Sequence, residues 1–406
     1  MRNHLSARVH LFAAICVALL FTLSACQRML PLQFEAGPAD ATTVIKLEIP
    51  DQQYRTMTGQ VRTKFSLENP QMTIAGHPVK VEDIHLRGSS SMLFRRKSLS
   101  VSLEAPFYFG EEKKMKKFYL ISMCMDRSYY ENVFAFRCLE LLNISHLYYQ
   151  YAEVWINDQP EGVYLVVQRP NDYALKDLGS PYVVRRGAHD RIDGEKSSDD
   201  VSDAQADLYQ HAYLQIPLMA KERHGKALYQ AWEKVLDIDA YLRLLAFFYW
   251  VRNGDYADEL YFYLSPEEDL PRFHLLPWDF DDIFAPEPHE GAEEKINLIG
   301  EKMLFSGEAE LDQIIALDPY LYEAYLRSLK QVMEEIDEKD LQIIFQDIYT
   351  ELYPYYNKPE VIEMSKYDQS RETNLERLKE DLNRSCEQMI ERKEETLRKL
   401  RKLIPE

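Results

Sequence analysis

Through the first half of the chain, apolar positions come in short bursts or alternate with polar ones. The runs "TVIKLEI" (43–49), "VEDIHLRG" (81–88), "KSLSVSLEA" (97–105) and "KKFYLISM" (116–123) are rich in β-branched and aromatic residues and predict strands. Successive strand side chains point to opposite faces, so in "KSLSVSL" Leu99, Val101 and Leu103 share one face and the serines the other. "YAEVWINDQPEGVYLVVQ" (151–168) predicts two strands around an Asn-Asp-Gln-Pro turn. Between these runs, "YYENVFAFRCLELLN" (129–143) has apolar residues at helical spacing.

The period changes in the second half. "DIDAYLRLLAFFYWVRNGD" (237–255) predicts a very apolar helix ending near Asn253-Gly254. Residues 260–264 and 272–276 predict a hairpin, and 311–355 and 367–403 predict long amphipathic helices. The last, heavily charged outside, predicts a helix packed on its own domain, with a coiled-coil partner as the alternative. The stretch 188–206 is acidic and almost free of apolar residues, which predicts an exposed loop or disordered insertion. Strands first and helices afterwards give an α+β chain. Its expected parts are a β-rich N-terminal lobe (43–187), a polar insertion (188–224) and a mainly helical C-terminal lobe (225–406).

The first residues add an address. Residues 1–25 combine Arg2 and Arg8 with an apolar run from Leu11 to Leu23, a secretory-signal pattern too short for a confident membrane span. The run ends in "LSAC", similar to a bacterial lipobox, so Cys26 is the expected lipid-bearing residue and 26–42 the anchor and tether, with a plain signal peptide or a signal anchor as the alternative. Acyl chains there would hold the chain on a membrane, facing the periplasm or exterior, and Gln27 favours the outer membrane of a two-membrane cell. Cys124, Cys138 and Cys386 remain, without the spacing of a disulfide framework or a zinc site. A net charge of -19 argues against a general nucleic-acid partner, which needs a basic face.

The chemistry concentrates in "FHLLPWDFDDIF" (273–284). Asp279, Asp281 and Asp282 follow a strand that reads as buried. Asp255 follows a helix end on the far side of the same hairpin. Phosphoryl transfer uses such a pair: one Asp orients the acceptor hydroxyl and another, in a D-F-x turn, holds Mg²⁺. Spacing alone leaves open two solvated loop ends, a metal-assisted hydrolase and a glycosidase carboxylate pair.

Five ordered blocks resemble the CotH spore-coat kinase family. They are "LRGSSSMLFRRKSLSVSL" (86–103), "MDRSYYENVFAFRCLELL" (125–142), "AEVWINDQPEGVYLVVQ" (152–168), "FFYWVRNGDYADELYFYL" (247–264) and "FHLLPWDFDDIF". The resemblance implies a reduced protein-kinase-like fold and ATP- and Mg²⁺-dependent phosphorylation of protein hydroxyls. It makes Asp255 the catalytic Asp and Asp279 the metal Asp, with Asp281 and Glu259 as further ligands. Arg87, Ser90, Arg96, Lys97 and Gln168 would meet the nucleotide. Asp282 reads as a loop-start residue. Four positions depart from the family pattern: Arg96 for Lys, Glu131 for Arg, Gln168 for an acid and Glu259 for Asn. These departures, with the scarcity of ATP outside the cytosol, set the competing reading: a weakened or inactive kinase-fold surface lipoprotein used for binding or assembly. The hairpin should bring Asp255 and Asp279 into one cleft with Arg87 and with Arg96 or Lys97.

Overall fold

The strand-forming runs of the first half assemble into one eight-stranded sheet in the computed structural model, which describes residues 31–38, 42–61, 63–110, 113–187, 191–266, 271–288, 302–368 and 371–404. The expected signal peptide and Cys26 lie outside the described residues. The chain divides into two compact units, Met1–Gln33 and Phe34–Glu406, and every described strand and helix belongs to the second.

The strands are β1 (Val44–Glu48), β2 (Gln71–Ile74), β3 (His77–Val79), β4 (Val81–Leu86), β5 (Leu99–Phe109), β6 (Lys113–Ile121), β7 (Tyr149–Ile156) and β8 (Gln159–Gln168). Their order is β3-β2-β1-β7-β8-β6-β5-β4. Helix α1 (Asp51–Met57) follows β1, and α2 (Glu131–Leu141) joins β6 to β7. The alternation in β5 has the expected result: Leu99, Val101 and Leu103 enter the core with Ile84, Phe118 and Val166. Ser98 and Ser100 turn to the opposite side. The β7–β8 turn sits on Asn157 and Asp158, both at positive φ (52° and 56°), as a two-residue hairpin turn with the native strand twist requires.

The second sheet contains β9 (Tyr182–Arg186), β10 (Ile192–Ser197), β11 (Leu260–Leu264) and β12 (Phe273–Pro277), in the order β10-β9-β11-β12. The hairpin β11–β12 matches the expected one to within a residue. The expected loop at 188–206 is corrected: Ile192–Ser197 is an edge strand paired with β9, and a helix, α3 (Asp203–Leu218), begins within the same stretch. The pattern hid the strand because most of its side chains are exposed, so its backbone pairs while its side chains show no apolar alternation.

Helices α4 (Gly225–Trp232), α5 (Ile238–Val251), α6 (Glu310–Leu317), α7 (Pro319–Glu335), α8 (Glu338–Tyr356) and α9 (Leu375–Leu403) complete the C-terminal half. The long helix expected over 311–355 is three helices. Asp318 caps α7, with Pro319 in its first turn, and Asp337 forms a capping box with Asp340 at the start of α8. Helix α9 packs against α8, and Trp250 of α5 donates to its Met389 carbonyl at 3.0 Å. Arg252 in the left-handed region ends α5 and turns the chain toward Asp255.

Candidate active site

A cleft of about 580 Å³ is lined by Asp255, Glu259, Asp279, Asp281, Arg87 and Ser90, all singled out in the sequence. Ser98, just before β5, and Ser100 and Tyr119 of the large sheet line it too, as do Arg185 and Tyr261 of the small one. The serine face of β5 is thus a hydroxyl-bearing wall rather than free surface. Ser98 Oγ lies 3.2 Å from Ser122 Oγ and accepts the Ser122 N–H at 3.0 Å.

The D-F-D turn owes its shape to the residue between the acids. Phe280 is 1% exposed and packs edge-on against Phe136, at 5.5 Å between centroids. Its N–H donates to Asn132 Oδ1 at 2.8 Å, tying the turn to α2. Asp279 is at φ 58°, which Asp tolerates better than most residues. With Phe280 turned inward, Asp279 and Asp281 face the cleft. Gly254 lets the other acidic loop approach. A Cβ there would stand 2.1 Å from Asp282 Oδ2, and the Gly254 N–H donates to the Asp282 carbonyl at 2.9 Å. Asp282 therefore joins the two loops and does not line the cleft.

The carboxylates are half-buried and crowded. Burial raises the Asp279 pKa, against the pull of Arg87 and Arg185. Burial, and then the charge of Asp279, hold Asp281 and Glu259 well above the usual carboxylate range. Among the described residues no three His, Cys, Asp or Glu side chains form a ready-made metal cage. A magnesium ion carried on a nucleotide needs only one or two carboxylates. Two clustered acids whose charged forms repel one another fit that demand, because a cation between them removes the cost of ionising both.

Two arginines face these acids differently. Arg185 Nη1 lies 3.0 Å from Asp193, and its Nη2 lies 3.1 Å from Glu259 and 3.7 Å from Asp258. Arg87 is stacked on aromatic faces, 4.3 Å from the Tyr119 centroid and 4.6 Å from that of Trp278. Arg87 makes no ion pair among the described residues.

Arg96, Lys97 and Gln168 are not brought to the cleft, and their expected contact with nucleotide is corrected accordingly. Arg96 is fully buried. It donates to the carbonyls of Glu161 and Val163 on β8, to the Tyr129 hydroxyl and to Asp368. Lys97 donates to the Gly59, Met92 and Phe94 carbonyls, and burial pushes its pKa down to about 8. Gln168 donates to Asp177. The sites on β5 that look into the cleft belong to serines. Glu131 is buried as well, 3.5 Å from Arg127, with its pKa raised first by burial and then by Asp126. Asp126 accepts the Glu131 and Asn132 N–H groups at 2.8 and 2.9 Å and so caps α2.

Arg185, Asp258 and the Tyr119–Trp278 pair were missed in the sequence. The signal for Arg185 was present: "YVVRR" sets two arginines in an apolar strand, where charges need partners. Arg186, the neighbour on the other face, is buried and holds the Ala257 carbonyl at 2.6 Å. Both arginines thereby grip the loop that follows Asp255.

Residues 84–390 match the family described as CotH kinase protein, and the chain belongs to that family. The fold of this family member is α+β, β-rich first and helical after. Among solved structures, the chain is similar to the Helicobacter pylori proinflammatory kinase CtkA, with TM-score 0.32 and 10% identity over 70% of this chain and 94% of that one. It is also similar to a chain of the Shewanella oneidensis MR-1 toxin–antitoxin complex of HipA, HipB and operator DNA, with TM-score 0.32 and 11% identity over 74% of this chain and 65% of that one. These likenesses are weak, and the assignment rests on the family match. Comparison with curated proteins finds no match. Among the described residues no helix is long and apolar enough to cross a membrane.

Proposed function

We propose that this chain is an extracytoplasmic, lipid-anchored protein kinase that transfers a phosphoryl group from ATP to protein hydroxyls with Mg²⁺. The supporting observation is the single cleft shared by Asp255, Asp279, Asp281 and Arg87. An Asp255 carboxylate oxygen takes the proton of the acceptor hydroxyl as the hydroxyl's own oxygen bonds to the γ-phosphorus. The bond from the γ-phosphorus to the β,γ-bridging oxygen breaks, and ADP leaves. Asp279 and Asp281 would hold Mg²⁺, which supplies positive charge to the phosphate oxygens. Arg87, held over the faces of two neighbouring rings, orients a phosphoryl group.

One observation favours the weakened-kinase alternative. Arg96 and Lys97 are committed to the interior, and Arg185 is already engaged by three carboxylates. That leaves Arg87 and Lys64 as the cleft's cations outside an ion pair among the described residues, little positive charge for a triphosphate. Transfer of labelled phosphate from ATP to a protein acceptor separates the two readings. The kinase reading expects Mg²⁺-dependent transfer that falls about 10²–10⁴-fold in Asp255→Asn with the melting temperature unchanged. Nucleotide binding without transfer by the wild type would leave the binding protein as the answer. The anchor is tested separately: Cys26→Ser should move the chain out of the membrane fraction or leave it unprocessed. Unchanged membrane association at the mature size would remove the lipid from the proposal.

A further inference from the structure

Glu259 is the hub of a chain of contacts that ends on Arg87. Its Oε2 accepts from Arg185 Nη2 at 3.1 Å and also from the Trp278 indole N–H. The two residues are joined a second time, by Trp278 N–H to the Glu259 carbonyl at 3.2 Å. Trp278 is 2% exposed, so its indole N–H depends on a protein acceptor. The same indole presents its face to the Arg87 guanidinium, and Tyr119, 5.4 Å from Trp278 between centroids, presents another.

We propose that Glu259 serves the nucleotide through Trp278 rather than through the metal. It is a positioning residue that orients the indole on which Arg87 is stacked, and Arg87 then meets a phosphoryl group of the nucleotide. This rests on the nucleotide reading above. Three physical points carry it. A carboxylate oxygen already shared by a guanidinium and an indole N–H is a poor magnesium ligand, because the ion would have to displace both donors beside an existing positive charge. A guanidinium stacked on rings keeps its N–H edges clear, and the edges are what bind phosphate oxygens. Finally, Arg87 makes no ion pair among the described residues, so its N–H donors are not committed to a carboxylate before the ligand arrives.

Calorimetric titration of the full chain with ATP, in Mg²⁺ and separately in EDTA, tests the chain of contacts. Glu259→Ala and Trp278→Phe should each weaken binding about tenfold, the scale of a lost cation–π support, and do so in both media. The double variant should be within about threefold of either single one, since both break one path. Glu259→Gln keeps an acceptor for the indole and should stay within about threefold of wild type in both media. A loss in Glu259→Gln confined to the Mg²⁺ titration would overturn the proposal and make Glu259 a metal ligand. Unchanged affinity in Trp278→Phe would overturn it too, since the indole would then transmit nothing. A wild type that binds no ATP in either medium would instead bring down the nucleotide reading, and this inference with it.

Discussion

Arg87 and Arg96 flank the same serine-rich loop and both fall in the block 86–103 that resembles the CotH family, yet their surroundings differ completely. Arg96 is 0% exposed and saturated, with donors committed to two strand carbonyls, a tyrosine hydroxyl and the Asp368 carboxylate. It ties β8 to the segment before α9, a structural duty across the body of the protein. Arg87 has two aromatic faces and no carboxylate partner among the described residues. A basic residue in a motif is thus assigned its work by what surrounds the end of its side chain. A cation whose charge is cancelled holds the fold, and one whose charge is left open can hold a ligand.

The comparison is broken most severely at Arg96. Arg96→Ala strands Asp368 as a buried charge beside Tyr129 and should cost about 3–5 kcal/mol in denaturant unfolding, with an unchanged slope. Arg96→Lys should recover little of this, since one ammonium cannot reach the carbonyls, hydroxyl and carboxylate that the planar fork reaches together. If Arg96→Ala melts like wild type and loses only nucleotide binding, Arg96 belongs to the site after all. The matching substitution Arg87→Ala should do the reverse on a smaller scale. ATP affinity should fall about tenfold, or ~1.4 kcal/mol, while the unfolding midpoint barely moves. An Arg87→Ala protein that unfolds early yet binds ATP normally would erase the distinction between the two arginines.

Much of this was legible in the sequence, and the failures have physical causes. Strands with one apolar face announced themselves by alternation, as β5 did, and the D-F-D turn stood out because charge follows an apolar strand. Asp255 and Asp279 were expected in one cleft because a short hairpin returns the chain to its starting edge, and both line that cleft. What escaped were features set by partners distant in sequence. Strand β10 is held by backbone pairing to β9 and shows no apolar face. Arg96 meets Asp368 across 272 positions, a contact that no local pattern encodes. The breaks before α7 and α8 were readable in retrospect from Asp318-Pro319 and Asp337, cap residues inside an otherwise helical period.

The smallest expected effect sharpens the comparison from the acidic side. Asp279 is a half-buried carboxyl whose pKa burial has raised, so the folded state binds its proton more tightly than the unfolded chain does. The stability this contributes is fully present below the unfolded value, near pH 4, and is lost as pH rises through the higher folded value. At neutral pH, without metal, the ionised group is therefore a liability, which the proposed cation would relieve. Asp279→Asn removes that charge while keeping the shape. The metal-free variant should melt about 2–4 °C above wild type at pH 7, and the difference should vanish below pH 4. Adding Mg²⁺ and ATP should reverse the order, raising the wild-type melting temperature and leaving the variant where it was. A variant that melts below wild type by the same margin at both pH values would show that Asp279 holds the turn together rather than waiting for a cation.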